Sequence, residues 1–323
     1  MTRWLGVVAA VALTATGALA QPDASRPITL IVPFPAGGPS DALARALAQG
    51  MSTHLKQTVV VENVSGASGV IGLVRLTKAA PDGLTFGFGT IGTHVANAAL
   101  FKQLPYDPLA DFEPVGLAGT APTMLAGKPS LAAANLKEFM AYAEASPGKV
   151  TYGSAGIGSI SHFACVVLFS ALKANITHVP YRGVAPAMND LMGGHIDVMC
   201  DQTTTALPQV TGGKIKALAM LTDRKLPQLP AVGTAAEAGY RDVNVRAWNA
   251  FFLPKATPGA VVQRFNDALR AAAGDTALQR QMAAVGVDLP QADALAPGTV
   301  KELIAQGLAR DVPALKARGE FLD

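Results

Sequence analysis

The sequence predicts an α/β protein of two lobes, each built on a mainly parallel sheet, with a hinge between them. Three observations carry that expectation. Apolar runs of strand length alternate with amphipathic runs of helix length, the pattern of an open parallel sheet with right-handed crossovers. A strand, a glycine-rich loop and a helix follow one another twice, over 28–55 and again over 150–172. The chain also reads as passing between the two units twice, over 115–126 and over 248–253, which inserts one lobe into the other.

Composition supports this plan. Half of the 323 residues are apolar, enough for ample core in about two domains, and 32 Gly with 22 Pro fit many tight turns between short elements. The 26 Lys+Arg nearly balance the 23 Asp+Glu, and no block of like charge occurs. Nothing therefore points to nucleic acid or an acidic membrane surface, and a small solute is the default partner. The first twenty residues stand apart. Arg3 is a short basic start, 4–19 is apolar and rich in small residues, and Ala18-Leu19-Ala20 before Gln21 is a small-x-small cleavage site. The alternative is a membrane anchor, but the run is marginal in length and no basic stop-transfer cluster follows it. A signal peptide over 1–20, cleaved after Ala20, is expected, with an exported and soluble mature chain.

In chain order, 28–32 reads as a buried strand and 34–39 as a tight glycine loop. The next helix places Leu43, Leu47, Met51 and Leu55 on one face, with Ala44 and Ala48 beside them. A strand over 57–62, a second glycine loop over 63–69 and a helix over 70–79 follow. The Pro81-Asp-Gly83 turn leads to a strand over 84–89, then to a polar loop over 90–94 and a short helix. Ligands of open parallel sheets bind at the carboxyl ends of the strands, where the loops over 34–39, 65–69 and 90–94 all fall. Residues 115–126 read as a crossing strand with Pro122 at an edge or kink. Lobe 1 is thus expected over 21–122 plus 248–323, and lobe 2 over 123–247.

In lobe 2 a helix over 136–145 precedes a strand over 150–152. The glycine loop 153–159 then opens a helix with Ile160, Phe163, Ala164, Val167, Leu168, Ala171 and Leu172 as its stripe. Strands over 176–179, 196–200 and 215–221 are expected, with a helix starting near Pro186 and stopping at Gly193-Gly194. Asp201 and a Thr-rich segment follow the 196–200 strand. Thr257-Pro258 reads as N-cap and first residue of a helix through 271. Cys165 and Cys200 each lie in an apolar run. Export permits a disulfide, but two buried thiols are the favoured reading, since bridge geometry is not visible in a sequence.

The motifs for covalent chemistry fail. Gly156-Ile-Gly158 follows a strand and opens a helix, but Ser161 replaces the third glycine of a dinucleotide loop, and the later acidic residue is missing. Ser154 lies in Tyr-Gly-Ser-Ala-Gly, without the first glycine of a hydrolase elbow. The five histidines show no metal-ligand spacing. No cofactor, no metal and no enzymatic activity are expected, with an exported hydrolase or a ligand sensor using the same cleft as the alternative. What remains is physical: two glycine loops at helix starts offer backbone N–H groups and positive dipole ends, able to grip a carboxylate from both lobes. Ser154, Ser159 and Thr90 would add hydroxyl donors. Asp41 reads either as a first-turn acid that orders the loop, or as a group holding a bridging water or a ligand ammonium; Asp201 invites the same pair of readings. Arg182 and Arg246 are candidate carboxylate partners, against the commoner case of solvated arginines.

The motif set as a whole resembles one family. Val32-Pro-Phe-Pro-Ala-Gly-Gly-Pro-Ser-Asp41, Gly66-Ala-Ser-Gly69, Tyr152-Gly-Ser-Ala-Gly-Ile-Gly-Ser159 with His162, and Val179-Pro-Tyr-Arg-Gly183 with Pro186-Ala187 carry the likeness. Gly193-Gly-His-Ile-Asp197, Glu237-Ala-Gly239 and Trp248 with Pro254 to Pro258 extend it. These are similar to the solute-binding proteins of tripartite tricarboxylate transporters, the Bug receptors, from Ile28 to the C-terminus. The resemblance implies a type II periplasmic-binding-protein fold, a periplasmic location, a monomer, and capture of a small carboxylate for a membrane permease. Carried over, it implicates Phe34, Pro35, Ala36, Gly37, Gly38 and Asp41 in lobe 1. In lobe 2 it implicates Ser154, Gly156, Ser159, Tyr181, Gly183 and Asp201. Contacts from Ala67 and Ser68 are implied less directly, because Ser68 stands where the family usually has glycine.

Overall fold

The computed structural model describes residues 26–316. The expected signal peptide over 1–20 lies outside the described residues. Ile28–Val32 (β1) is buried except for Thr29 and pairs in parallel with Val59–Asn63 (β2) and Thr85–Thr90 (β3). Pro39–Leu55 (α1) and Val70–Thr77 (α2) make the crossovers, and Asn97–Leu100 (α3) follows β3. Leu43, Leu47, Met51 and Leu55 on α1 are all buried, as their spacing requires, in a core that includes Phe86, Phe251 and Phe265. Phe86 packs against Phe251 and Phe265 with ring centroids 5.4 and 5.0 Å apart.

Phe112–Gly127 (β4) is the long strand of the molecule at 16 residues. Its residues 112–122 pair antiparallel with Arg246–Pro254 (β9), and residues 123–127 pair with Val198–Gln202 (β7). Pro122, which has no N–H to give a ladder, is the last residue opposite β9, and Thr123 is the first opposite β7. The second half of the sheet adds Thr151–Ser154 (β5) and Thr177–Pro180 (β6) in parallel beyond β7, while Lys216–Met220 (β8) pairs with the other edge of β4. The order is β2-β1-β3-β9-β4-β7-β5-β6. Leu136–Ala145 (α4), Ile160–Ala171 (α5), Val184–Gly193 (α6) and Thr203–Thr211 (α7) belong to this second half. Gly259–Ala273 (α8), Thr276–Ala284 (α9) and Pro297–Lys316 (α10) return to the first, where α8 packs on α1 and α10 on β4.

Three expectations are corrected, and the Thr-rich segment gains an assignment. Residues 90–94 are not a polar loop: β3 runs through Thr90, and a π-helical turn, Gly92–Ala96, continues into α3. Two threonines cap each other there, Thr90 N–H donating to Thr93 Oγ1 at 2.9 Å and Thr93 N–H to Thr90 Oγ1 at 3.3 Å. His94 is fully buried, stacked on Phe252 at 4.0 Å, and burial holds its pKa down to about 3. The Thr-rich stretch after β7 is helix α7, within which Thr211 Oγ1 donates back to the Leu207 carbonyl. Pro258, not Thr257, is the N-cap of α8, because the Thr257 hydroxyl turns back to donate to the Pro254 carbonyl at 2.7 Å. Cys165 and Cys200 are bonded to each other rather than free thiols. The reason is packing: α5 lies on β7, which places both buried side chains face to face with Cα atoms 5.3 Å apart.

The bridge spans a separation of 35 residues. Loop-closure entropy for a loop of that size is about 3–4 kcal/mol. Urea unfolding of the Cys165→Ala/Cys200→Ala protein is expected to show that loss relative to the oxidised parent, and prior reduction of the parent should reproduce it.

Candidate functional site

The strand C-ends of both sheet halves face one another across a cavity. From the first half its walls are the 34–40 loop, Thr90, Ile91, Ala247 and Asn249. From the second they are Ala155, Ser159, Ile160, the 183–186 segment and Gln202. An outer chamber shares Phe34, Pro35, Ala155, Ser159 and Gly183 with it and adds 65–69, Gly156, Tyr181 and Arg182. Arg182 is the one charged side chain among the described residues that line these two chambers.

The first glycine loop is held by a buried carboxylate. Asp41 Oδ2 accepts from Gly37 N–H at 2.9 Å and Arg45 Nε at 3.0 Å, and its Oδ1 accepts from Asn63 Nδ2 at 2.9 Å. Asn63 Nδ2 also donates to the Phe34 carbonyl at 3.0 Å, tying both ends of the loop to β2. Burial alone would raise the Asp41 pKa, but the bonds from Arg45, Gly37 and Asn63 outweigh it and hold the carboxyl below its ordinary value. Asp41 is thus the loop-ordering acid, and it lines neither chamber. Gly37 spends its N–H on this bond. Its φ of +80° explains the glycine, since a Cβ there would meet nothing within 4 Å.

The donors left for a ligand come from the helix start itself. Gly38 is the N-cap of α1 and has no side chain to cap with; Pro39 has no N–H, so the groups at Ser40 and Asp41 are the uncapped ones. The second glycine loop is built the opposite way. Ser159 caps α5 by accepting from His162 N–H at 3.3 Å, and its own hydroxyl donates to the Gly156 carbonyl at 2.6 Å. Ala155 N–H donates to Ser161 Oγ, Gly156 N–H to Ser154 Oγ, and Gly158 N–H to His162 Nδ1. These donors are satisfied within the loop. Two helix starts of this half lack a side-chain cap at the cavity: α6, where the N-cap Gly183 has φ +128° and Val184 and Ala185 form cavity wall, and α7, whose N-cap Gln202 is itself in the wall.

The remaining candidates divide. Phe34, Pro35, Ala36, Gly38, Thr90, Ser159 and Gly183 line the inner cavity, and Ala67, Ser68, Gly156 and Tyr181 the outer chamber. Ser154 does not line either; it is fully buried, with its hydroxyl 2.7 Å from His178 Nε2. Tyr181 donates to Asp190 at 2.6 Å, and burial together with that carboxylate pushes its pKa up to about 12. Asp201 is also fully buried, accepts from the Thr205 hydroxyl and lies behind the wall; the adjacent Gln202 takes the cavity position, as alternation along a strand dictates. Arg246 lies away from both chambers and pairs with Asp288 at 2.8 Å. Sequence reasoning missed Gln202, Asn249, Val184 and Ala185. Only the last two had a signal, a glycine without Ser, Thr, Asp or Asn before a helix.

This geometry can now be set beside known proteins. The model of the tripartite tricarboxylate transporter family receptor matches residues 43–319. The chain belongs to that family. BugT of Bordetella pertussis is a relative, 34% identical over 88% of this chain and 89% of its own. The structure of MatC from Rhodopseudomonas palustris with bound malate is 35% identical, with a TM-score of 0.86 over 90% of this chain and 99% of that one. R. palustris Rpa4515 with adipate is 31% identical, with a TM-score of 0.86 over 90% and 97%. The two-lobed fold of periplasmic binding proteins is therefore the fold of this receptor-family chain, and its homologues are solute-binding proteins.

Asp201 makes a prediction about pH. Burial pushes its pKa up to about 7 from 3.8, its ordinary value, and Oδ1 has no partner. Between those two values the unfolded chain releases the proton while the folded chain keeps it. Its effect on stability is therefore nil below about pH 4 and increasingly unfavourable up to about pH 7. Asp201→Asn, which mimics the protonated acid, should melt close to the parent at pH 4 and well above it at pH 8. Thermal melts of both proteins across that range check the sign.

Proposed function

We propose that this chain is an exported, periplasmic receptor that takes up a small carboxylated solute between its lobes and delivers it to the membrane permease of a tripartite tricarboxylate system. It performs no covalent chemistry and acts as a monomer. The lobes are 21–122 with 248–323, and 123–247, joined where β4 and β9 cross. The observation that carries the reading is the pair of uncapped helix starts, α1 at Gly38 and α6 at Gly183, opposed across one cavity. Each presents backbone donors and a partial positive charge to an anion. Ser40, Thr90, Ser159, Gln202 and Asn249 supply neutral polar groups around them. Two such ends suit a dicarboxylate, in keeping with the malate and adipate of the structural relatives.

A hydrolase using the same cleft is the competing reading, and Ser154 with His178 is the pair that would serve it. That pair is disfavoured because Ser154 is buried outside the cavity and its oxygen already accepts from Gly156 N–H at 3.1 Å.

Thermal shift against malate, adipate, tricarboxylates, aromatic acids and amino acids tests the receptor reading. At a hundredfold excess over Kd a true ligand adds about 2.7 kcal/mol of stability, which moves the melt by several degrees. Silence across every carboxylate, or turnover of any of them, would count against it. Gly38→Asp is the sharper test. The backbone there, φ −82° and ψ 170°, accepts any residue, and a Cβ would touch only the Pro35 carbonyl oxygen at 3.5 Å. The new carboxylate caps α1 itself, so stability should hold or rise by roughly a few tenths of a kcal/mol. Carboxylate affinity should fall at least about tenfold, because the donors are occupied and the added charge repels. Calorimetric titration showing unchanged affinity in this variant would remove α1 from the site.

A further inference from the structure

We propose that Ser68 is a latch that holds the two lobes closed over the cavity. The proposal rests on the reading that the lobes part to admit a ligand, but the ligand plays no role in it. Residues 66–69 form a run of four positive φ values, +136°, +44°, +55° and +87°. Ala67 and Ser68 are therefore L residues held in the left-handed region, which glycine occupies freely and other residues occupy at a cost. Ser68 keeps that conformation while its hydroxyl reaches out of its own half of the sheet and donates to the Ile157 carbonyl, in the glycine loop after β5.

Both sides of this contact are braced. The Ser68 carbonyl accepts from Asn97 Nδ2 at 3.1 Å, and Asn97 in turn meets the Tyr106 hydroxyl, which donates to the Thr93 carbonyl at 2.6 Å. On the other side Gly158, with φ +83°, seats between Asn97 and Ser68. A Cβ there would lie 3.0 Å from Asn97 Oδ1 and 3.1 Å from Ser68 Oγ. The turns meet at the outer chamber, which both line through Ser68 and Gly156. Closing them over the inner cavity seals it from that side. The same contact carries an opposing term, since Asn97 Oδ1 is buried there without a hydrogen-bond partner. One bond favours closure and one stranded acceptor opposes it, which leaves a latch that holds and still releases.

The test needs no ligand. Nitroxide labels at the exposed positions Lys78→Cys and Asn175→Cys, one in each half, report the interlobe distance of the mature chain with its native disulfide intact. Three proteins are compared by pulsed electron resonance: Ser68, Ser68→Ala and Ser68→Gly. The ratio of short to long distances should fall about fivefold in both variants, the factor carried by one neutral hydrogen bond. Ser68→Gly also relieves the left-handed backbone, so its melting temperature should equal or exceed the parent's while its closed population drops. Identical distance distributions in all three proteins, whether all open or all closed, overturn the latch. So does a Ser68→Gly protein that melts lower with its distances unchanged, for then Ser68 serves only the local fold. Either result leaves the receptor reading, tested by ligand titration, where it stood.

Discussion

The buried Asp41 carboxylate is the interaction on which the site is built. It gathers Gly37, Arg45 and Asn63 around two oxygens, and through Asn63 it fixes the Phe34 carbonyl at the far end of the loop. The loop is thereby a rigid consequence of α1 and β2 rather than a flexible glycine segment. Its charge is matched by Arg45 on the same helix, so it adds little net field to the cavity. An acid in the first turn of α1 also sits well with the helix dipole. The same residue therefore shapes the turn at the cavity wall with little net charge of its own to set against a bound anion.

Around this point the protein keeps charge out of the walls of the inner cavity. Two buried titratable groups lie close behind them, and both are held neutral by burial over part of the pH range. His94 resists protonation down to about pH 3, and Asp201 resists ionisation up to about pH 7. Their effects on stability run in opposite directions. His94 penalises the fold as pH drops below the ordinary histidine range, because the unfolded chain takes up a proton that the folded chain refuses. Asp201 penalises it as pH rises. Each keeps a formal charge away from a cavity whose polarity then comes from oriented amides and hydroxyls. In a low-dielectric wall such fixed dipoles act with little screening.

Much of this was legible in the sequence, for identifiable reasons. The 3.6-residue period of Leu43, Leu47, Met51 and Leu55 named the buried face of α1, and Asn135 before Leu136–Ala145 marks a helix whose ends the sequence reading and the structure share. Pro122 marked the handover within β4 because a missing N–H has meaning at any position in a ladder. What escaped depends on side chains meeting backbone across a turn. Thr90 with Thr93, and Thr257 with Pro254, shift helix starts by bonds that composition does not encode. The disulfide depends on the contact of α5 with β7, which only the folded sheet supplies. Likewise the loops 34–39 and 153–159 look alike as sequence, yet one exposes its donors and the other consumes them through Ser154, Ser159, Ser161 and His162. A serine in a glycine loop is as able to satisfy the loop as to serve a ligand.

That contrast explains why glycine, rather than a better N-cap, stands at positions 38 and 183. Ser, Thr, Asp or Asn at an N-cap stabilises a helix by about 0.5–2 kcal/mol over alanine, and by roughly a few tenths of a kcal/mol over glycine. Of the helix starts in this structure, α4, α5 and α9 take that gain through Asn135, Ser159 and Asp275. The starts of α1, α2, α3, α6, α7 and α8 have no side-chain cap, and of these α1, α6 and α7 open into the same cavity through Gly38, Gly183 and Gln202. Backbone conformation accounts for Gly183, whose φ of +128° few other residues tolerate, but not for Gly38, whose φ is −82°. Under the proposed receptor reading, the absent side chain at Gly38 is itself the functional feature. It leaves the first-turn N–H groups of α1 in need of an acceptor, which an anion entering the cavity can provide and which no group of the N-cap residue supplies in its absence.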